Sequence, residues 1–277
     1  MHINLRFLTI AIATAVTGLC GQSLGSQELA GEVREQVHKY RLTHENEIVG
    51  EFVRLLSIPN LATDTPNIER NARAIATMLK SRGVAVQFLR IPEAPPVVYG
   101  TVRVLGGRPT VGIYAHYDGL PVDSQQWKSA PFTPVLRNMA GQTVDWRTRT
   151  HYDPESRIYA RSAGDDKAAI SANISALDAL SSVQANLSVN VKFMFDGEEE
   201  AGSPHLAEIL SKNPDVLNAD IWLLCDGPLP PSRRMQVFFG TRGETDLEMT
   251  VYGPARPCIP VTMATGRQIQ LCCSPTS

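Results

Sequence analysis

The sequence predicts an α/β fold, a largely parallel sheet flanked by helices, and three observations carry that prediction. Apolar residues recur at helical spacing in some segments and run in short continuous blocks in others. The two kinds of segment alternate along the chain. Residues able to carry chemistry follow directly after the short apolar blocks, where open α/β sheets gather their ligands.

The elements follow in order. His2 and Arg6 precede an apolar run, Phe7 to Leu19, with small residues at Gly18, Cys20 and Gly21. The run suits a signal-peptide core and is too short to span a bilayer comfortably, so residues 1–26 are expected to direct export to the periplasm or beyond. A lipid anchor at Cys20 is the weaker alternative, because Leu19 stands where such sites take a small residue. From Gln27 to Leu56, Val33 and Val37, then Ile48, Phe52 and Leu55, fall at helical spacing, and Pro59 ends the run. Thr65 can cap the next helix with Pro66 at its first position, Ile68, Ala72, Ile75 and Leu79 on one face, and Gly83 at its end.

Strands are expected at Val84–Leu89, Val97–Val104 and Thr110–His116, and an excursion of loops from Asp123 to Arg157. Asp165 to Leu180 reads as a helix and Val189–Phe195 as a strand. Ser203 and Pro204 open another helix, and Ala219–Cys225 reads as a buried strand. No other stretch is apolar enough for a membrane span.

Composition narrows the class. The 277 residues suit one large domain or two small ones, and 43% hydrophobic residues supply a core. A formal net charge of −2 argues against a nucleic-acid partner, which calls for a basic face. Five cysteines, with Cys258, Cys272 and Cys273 crowded near the end, do not make a disulfide framework.

Four distant segments would direct acids and one imidazole to a common sheet edge. His116 and Asp118 end one apolar block, Glu198, Glu199 and Glu200 follow another, and Asp226 follows a third; Asp165 and Asp166 open a helix. Crowded carboxylates must protonate, repel or share a cation. Mixed imidazole and carboxylate donors suit zinc, with manganese or cobalt as alternatives. Taken singly, each has an ordinary explanation: a hydrogen-bonded pair, a helix-dipole partner, a solvated acidic face or a turn cap. His151 and His205 are expected at the surface rather than as ligands.

Together and in this order, the segments resemble the M20 family of metallopeptidases (M20/M25/M40). The matching residues are His116-Tyr-Asp118 with Pro121, Arg161 with Asp165-Asp-Lys167, Glu199-Glu-Ala-Gly-Ser203, and Asp226. Trp127 with Pro131 and Phe132 is similar to the segment before the second motif in dipeptidase-type members. Ala160 and Ala168 depart from the family's glycines without removing a ligand. The resemblance implies a zinc-exopeptidase-like catalytic domain binding two divalent ions. In it His116 and Asp226 hold one ion, Glu200 holds the other, Asp165 bridges them, Asp118 orients His116, and Glu199 is the general base. The implied reaction is hydrolysis of an amide next to a free carboxylate, in a small peptide or an N-acyl amino acid. A deacylase or desuccinylase and a non-catalytic metal- or peptide-binding fragment stay open beside a dipeptidase or carboxypeptidase.

The same resemblance divides the chain into 27–244, the N-terminal part of the catalytic domain, and 245–257, the start of a lid through which full-length relatives dimerise. Residues 258–277 do not follow the family. With suitable codons and one added base, Cys258–Gln270 reads Leu-His-Ser-Gly-His-Tyr-Gly-Asn-Trp-Ala-Pro-Asn-Pro, the segment that the resemblance leads one to expect there. An out-of-frame tail, a missing lid and poor activity of this chain alone are therefore expected.

Overall fold

The computed structural model describes residues 24–243 except 107–108, 186, 228–229, 231, 233, 235 and 241–242. The expected export run, the start of the lid and the tail lie outside the described residues. The chain divides into two compact units, 1–233 and 234–277, and the elements below belong to the first.

Helices α1 (Leu24–Thr43) and α2 (Glu45–Leu56) open the unit. Helix α2 stops ahead of Pro59, whose ring disfavours helical backbone in the residue before it. Helix α3 (Thr65–Lys80) is capped one residue earlier than expected. Asp64 accepts the Asn67 N–H at 3.2 Å, which places Thr65 first and Pro66 second. Its stripe is as expected: Ile68, Ala72, Ile75 and Leu79 are all buried. Gly83, at φ +76°, then turns the chain so that Val84 N–H closes on Leu79 O.

Next come β1 (Ala85–Leu89), β2 (Val97–Val102) and β3 (Thr110–His116). The stretch expected to be only loops contains β4 (Val135–Arg137), β5 (Thr143–Val144) and β6 (Arg157–Tyr159), a small antiparallel sheet of order β5-β4-β6. Strands of two or three residues are too short to display a period. Helix α4 (Lys167–Ser182), β7 (Asn190–Asp196), α5 (Leu206–Lys212) and β8 (Ile221–Leu224) complete the unit.

The main sheet has the order β1-β2-β7-β3-β8 and is mixed rather than largely parallel. β3 runs parallel to β7 and β8, but β1–β2 and β2–β7 are antiparallel. The short link from Leu89 to Val97 leaves no room for the crossover a parallel pair needs. Helices do cover both faces. Val98, Ile113, Phe193 and Phe195 face α3 and α4, whereas their neighbours Val97, Tyr99 and Met194 pack with Ile209 of α5. The expected buried strand at Ala219–Cys225 is shorter, and in the described residues β8 is an edge with Leu224 67% exposed. An edge strand can be as apolar as a central one, so composition misplaced it. No helix among the described residues is long and apolar enough to cross a membrane.

Candidate metal centre

Parallel register builds the site. His116 ends β3 directly opposite Asp196 at the end of β7. On the other side Tyr114 pairs with Leu224, and two residues further each way come His116 and Asp226. Equal steps along parallel strands keep side chains on one face, so the sheet sets the imidazole beside Asp226. The turn before α4 adds Asp165, and the turn after β7 adds Glu199 and Glu200.

His116 is fully buried. Its Nε2 lies 2.8 Å from Asp165 Oδ1 and 3.9 Å from both Glu199 Oε2 and Asp226 Oδ2. His116, Asp165 and Asp226 each offer a ligand atom within 4.8 Å of the others. Behind them, Asp118 Oδ1 lies 3.2 Å from His116 Nδ1. The Asp118 carboxylate also accepts the N–H groups of Glu199 and Glu200, both at 3.1 Å. Asp118 thereby fixes the ring and the acidic turn together. Glu200 is held through its backbone, and its carboxylate falls outside the tight group formed by the other three.

The electrostatics ask for positive charge. Burial raises the pKa of Asp226, and Asp165 and Asp118 add to the effect, opposed by His116. Burial likewise raises Glu199, helped by Asp226, Asp118 and Glu200. Burial would lower the pKa of His116, but the Asp118 hydrogen bond and the charges of Asp166, Asp118 and Asp226 outweigh it and push it up to about 10. Acids drawn toward neutrality around an imidazole drawn toward its cation describe a site short of a cation. The donor set fits a divalent ion on that ground, with nitrogen and carboxylate oxygens in the mix that zinc accepts.

Of the other acids here, Asp196 alone was not singled out by sequence. The three adjacent glutamates divide: Glu198 is buried and accepts from His205 N–H and its ring, leaving Glu199 and Glu200 to face the cluster. Asp196 accepts from Gly197 N–H, Glu198 N–H and the Ser203 hydroxyl, so it shapes the same turn. Its place directly after an apolar run in the sequence, like that of Asp226, was the available signal. Asp166, beside Asp165, accepts the backbone N–H of His116 at 3.1 Å; burial, with Asp226 and Asp165 adding, pushes it up to about 8. His151 is exposed and pairs with Glu45.

A sheet edge that gathers one imidazole and several acids in this way makes an α/β domain whose His116, Asp165 and Asp226 could hold a metal ion. Residues 112–259 match the model of peptidase family M20/M25/M40, over half of the chain, and the chain belongs to that family. It is 31% identical over 157 residues to human Beta-Ala-His dipeptidase, covering 54% of this chain and 27% of that protein. It is 25% identical over 226 residues to the Cys-Gly metallodipeptidase dug1 of Schizosaccharomyces pombe, covering 76% of this chain and 44% of that one. The chain thus spans less than half the length of these curated relatives. Among solved structures, the M20 family metallo-carboxypeptidase Sso-CP2 from Sulfolobus solfataricus superposes with a TM-score of 0.55 at 32% identity, over 68% of this chain and 39% of that one. Human carnosine dipeptidase 1 gives 0.58 at 25% identity, over 70% and 41%.

Proposed function

We propose that this domain hydrolyses an amide bond next to a free carboxylate, as a dipeptidase or carboxypeptidase would, with two divalent ions held at the sheet edge. His116, Asp165 and Asp226 would hold one ion, and Asp165 with Glu200 would contribute to the other; zinc is the metal proposed, manganese and cobalt the alternatives. The observation that carries this reading is the convergence of His116 Nε2 with Asp165 and Asp226 while Asp118 backs the other ring nitrogen.

A bound divalent ion supplies Lewis-acid polarisation of the carbonyl and makes water a stronger acid. Asp118 accepts the Nδ1–H of His116 and so leaves the Nε2 lone pair facing forward. Glu199, raised above an ordinary carboxylate, takes a proton from water at Oε2 and returns it to the leaving amine. Asp166 and Asp196 hold the strand end and the acidic turn while the proton moves. Export through residues 1–26 and pairing of the complete protein through a lid belong to the same proposal.

The test is metal titration and assay with zinc against dipeptides and N-acyl amino acids. In the complete protein with its lid, Glu199→Gln should keep its metal and lose turnover by about 10²–10⁴-fold. Cleavage of N-acyl amino acids alone would turn the proposal toward a deacylase or desuccinylase. Metal binding that survives His116→Ala unchanged would remove it.

A further inference from the structure

The connector from α2 to α3 carries none of the acids or the imidazole, yet both halves of the centre are fastened to it. Lys167, fully buried, donates from Nζ to Leu55 O at 3.0 Å and Ile58 O at 2.9 Å. That ties the start of α4, and with it the Asp165 turn, to the connector. Asn60, also fully buried, reaches the other half. Its Nδ2 donates to Tyr117 O at 2.8 Å, between His116 and Asp118, and to Ser162 Oγ at 2.9 Å, just ahead of Asp165. Its backbone carbonyl accepts the Gly119 N–H at 2.9 Å. Asn71 in turn holds Pro59 O at 2.7 Å, which anchors the connector on α3.

The Asn60 side chain does this at a cost, because its Oδ1 is buried with no partner among the described residues. An unpaired buried acceptor destabilises a fold, and an apolar residue of similar size would avoid it. Packing alone therefore does not account for an amide here. What the amide provides is two donors in one plane, aimed at two loops that meet only in the tertiary structure. The fit around it is close: a Cβ on Gly119 would lie 2.4 Å from Ser162 Oγ and 3.1 Å from Asn60 Nδ2.

We propose that Asn60 is a positioning residue that sets His116 and Asp118 at their working distance from Asp165. Metal bonds tolerate only about 0.2 Å of error, so a clamp joining the two loops acts directly on affinity. The inference rests on the metal reading above, and its test separates the two. Co²⁺ is titrated into the full chain, followed by calorimetry and by visible absorption, for the native sequence, Asn60→Leu and Ser162→Ala. Asn60→Leu should weaken Co²⁺ binding by about tenfold or more and alter the absorption band, the scale seen when groups that orient ligands are removed. Ser162→Ala, which removes one of the two Asn60 contacts together with the Ser162 hydroxyl's bond to Asp118 O at 3.4 Å, should weaken it by about threefold on the same basis. If Asn60→Leu does not fold, Ser162→Ala decides alone. Affinities within about twofold of the native chain, with an unchanged band, overturn the positioning role and leave the metal reading intact. A native chain that binds no Co²⁺ overturns both.

Discussion

Asp118 touches three groups at once, the His116 ring and two backbone N–H groups of the acidic turn, and charge-assisted bonds of this kind are the stronger class. Asp118→Asn keeps the shape but loses the charge and can satisfy fewer of those donors. Zinc affinity should fall about 10–100-fold, read by competition with a chromophoric chelator. At this scale the sequence was a good guide to which residue types gather but a poor one to their direction. Glu198, Glu199 and Glu200 are chemically identical in the sequence, yet one is buried on His205 and two face the cluster. Asn60 was not legible at all, since nothing near it in sequence marks the loops that it joins.

Among the elements, β8 matters most to the site because Asp226 follows its end by two residues. Gly112 of β3 pairs with Trp222 of β8, and a Cβ at Gly112 would come within 2.4 Å of the indole. Gly112→Ala should force the indole aside, cost about 1–3 kcal/mol in denaturant unfolding and weaken metal binding through Asp226. Arg90 and Glu69 join the exit of β1 to α3 by a paired ion contact. The Arg90 hydrogen bond holds the Glu69 carboxyl below the usual range. A depressed acid stabilises the fold above its unfolded pKa and loses that effect as pH falls through the folded value. Arg90→Gln should therefore cost about 0.5–1 kcal/mol near neutral pH, with the difference fading below about pH 4 in pH-dependent melts. The stripe of α3 was legible because a long amphipathic period is local, whereas β4–β6 were too short to leave one.

For the whole molecule, a centre built from β3, β8 and the turns before α4 and after β7 couples metal binding to folding. Zinc at about 100 times its dissociation constant should add about 2.7 kcal/mol of stability, seen as a higher melting temperature that a chelator reverses. The alternation of helices and strands was visible in the sequence, but the direction of β1 and β2 was not. Strand direction follows from which neighbours pair, and pairing is a contact between segments remote in the chain.

The sequence by itself determined the helix and strand periods, the supply of one imidazole and several acids, and the ordered motifs that mark the family. Tertiary structure alone decided that parallel register sets His116 beside Asp226, that Glu198 turns inward, and that Asn60 joins two loops. The reason is physical: period and chemistry are carried by neighbouring residues, while side-chain direction, burial and charge depend on residues that only folding brings near.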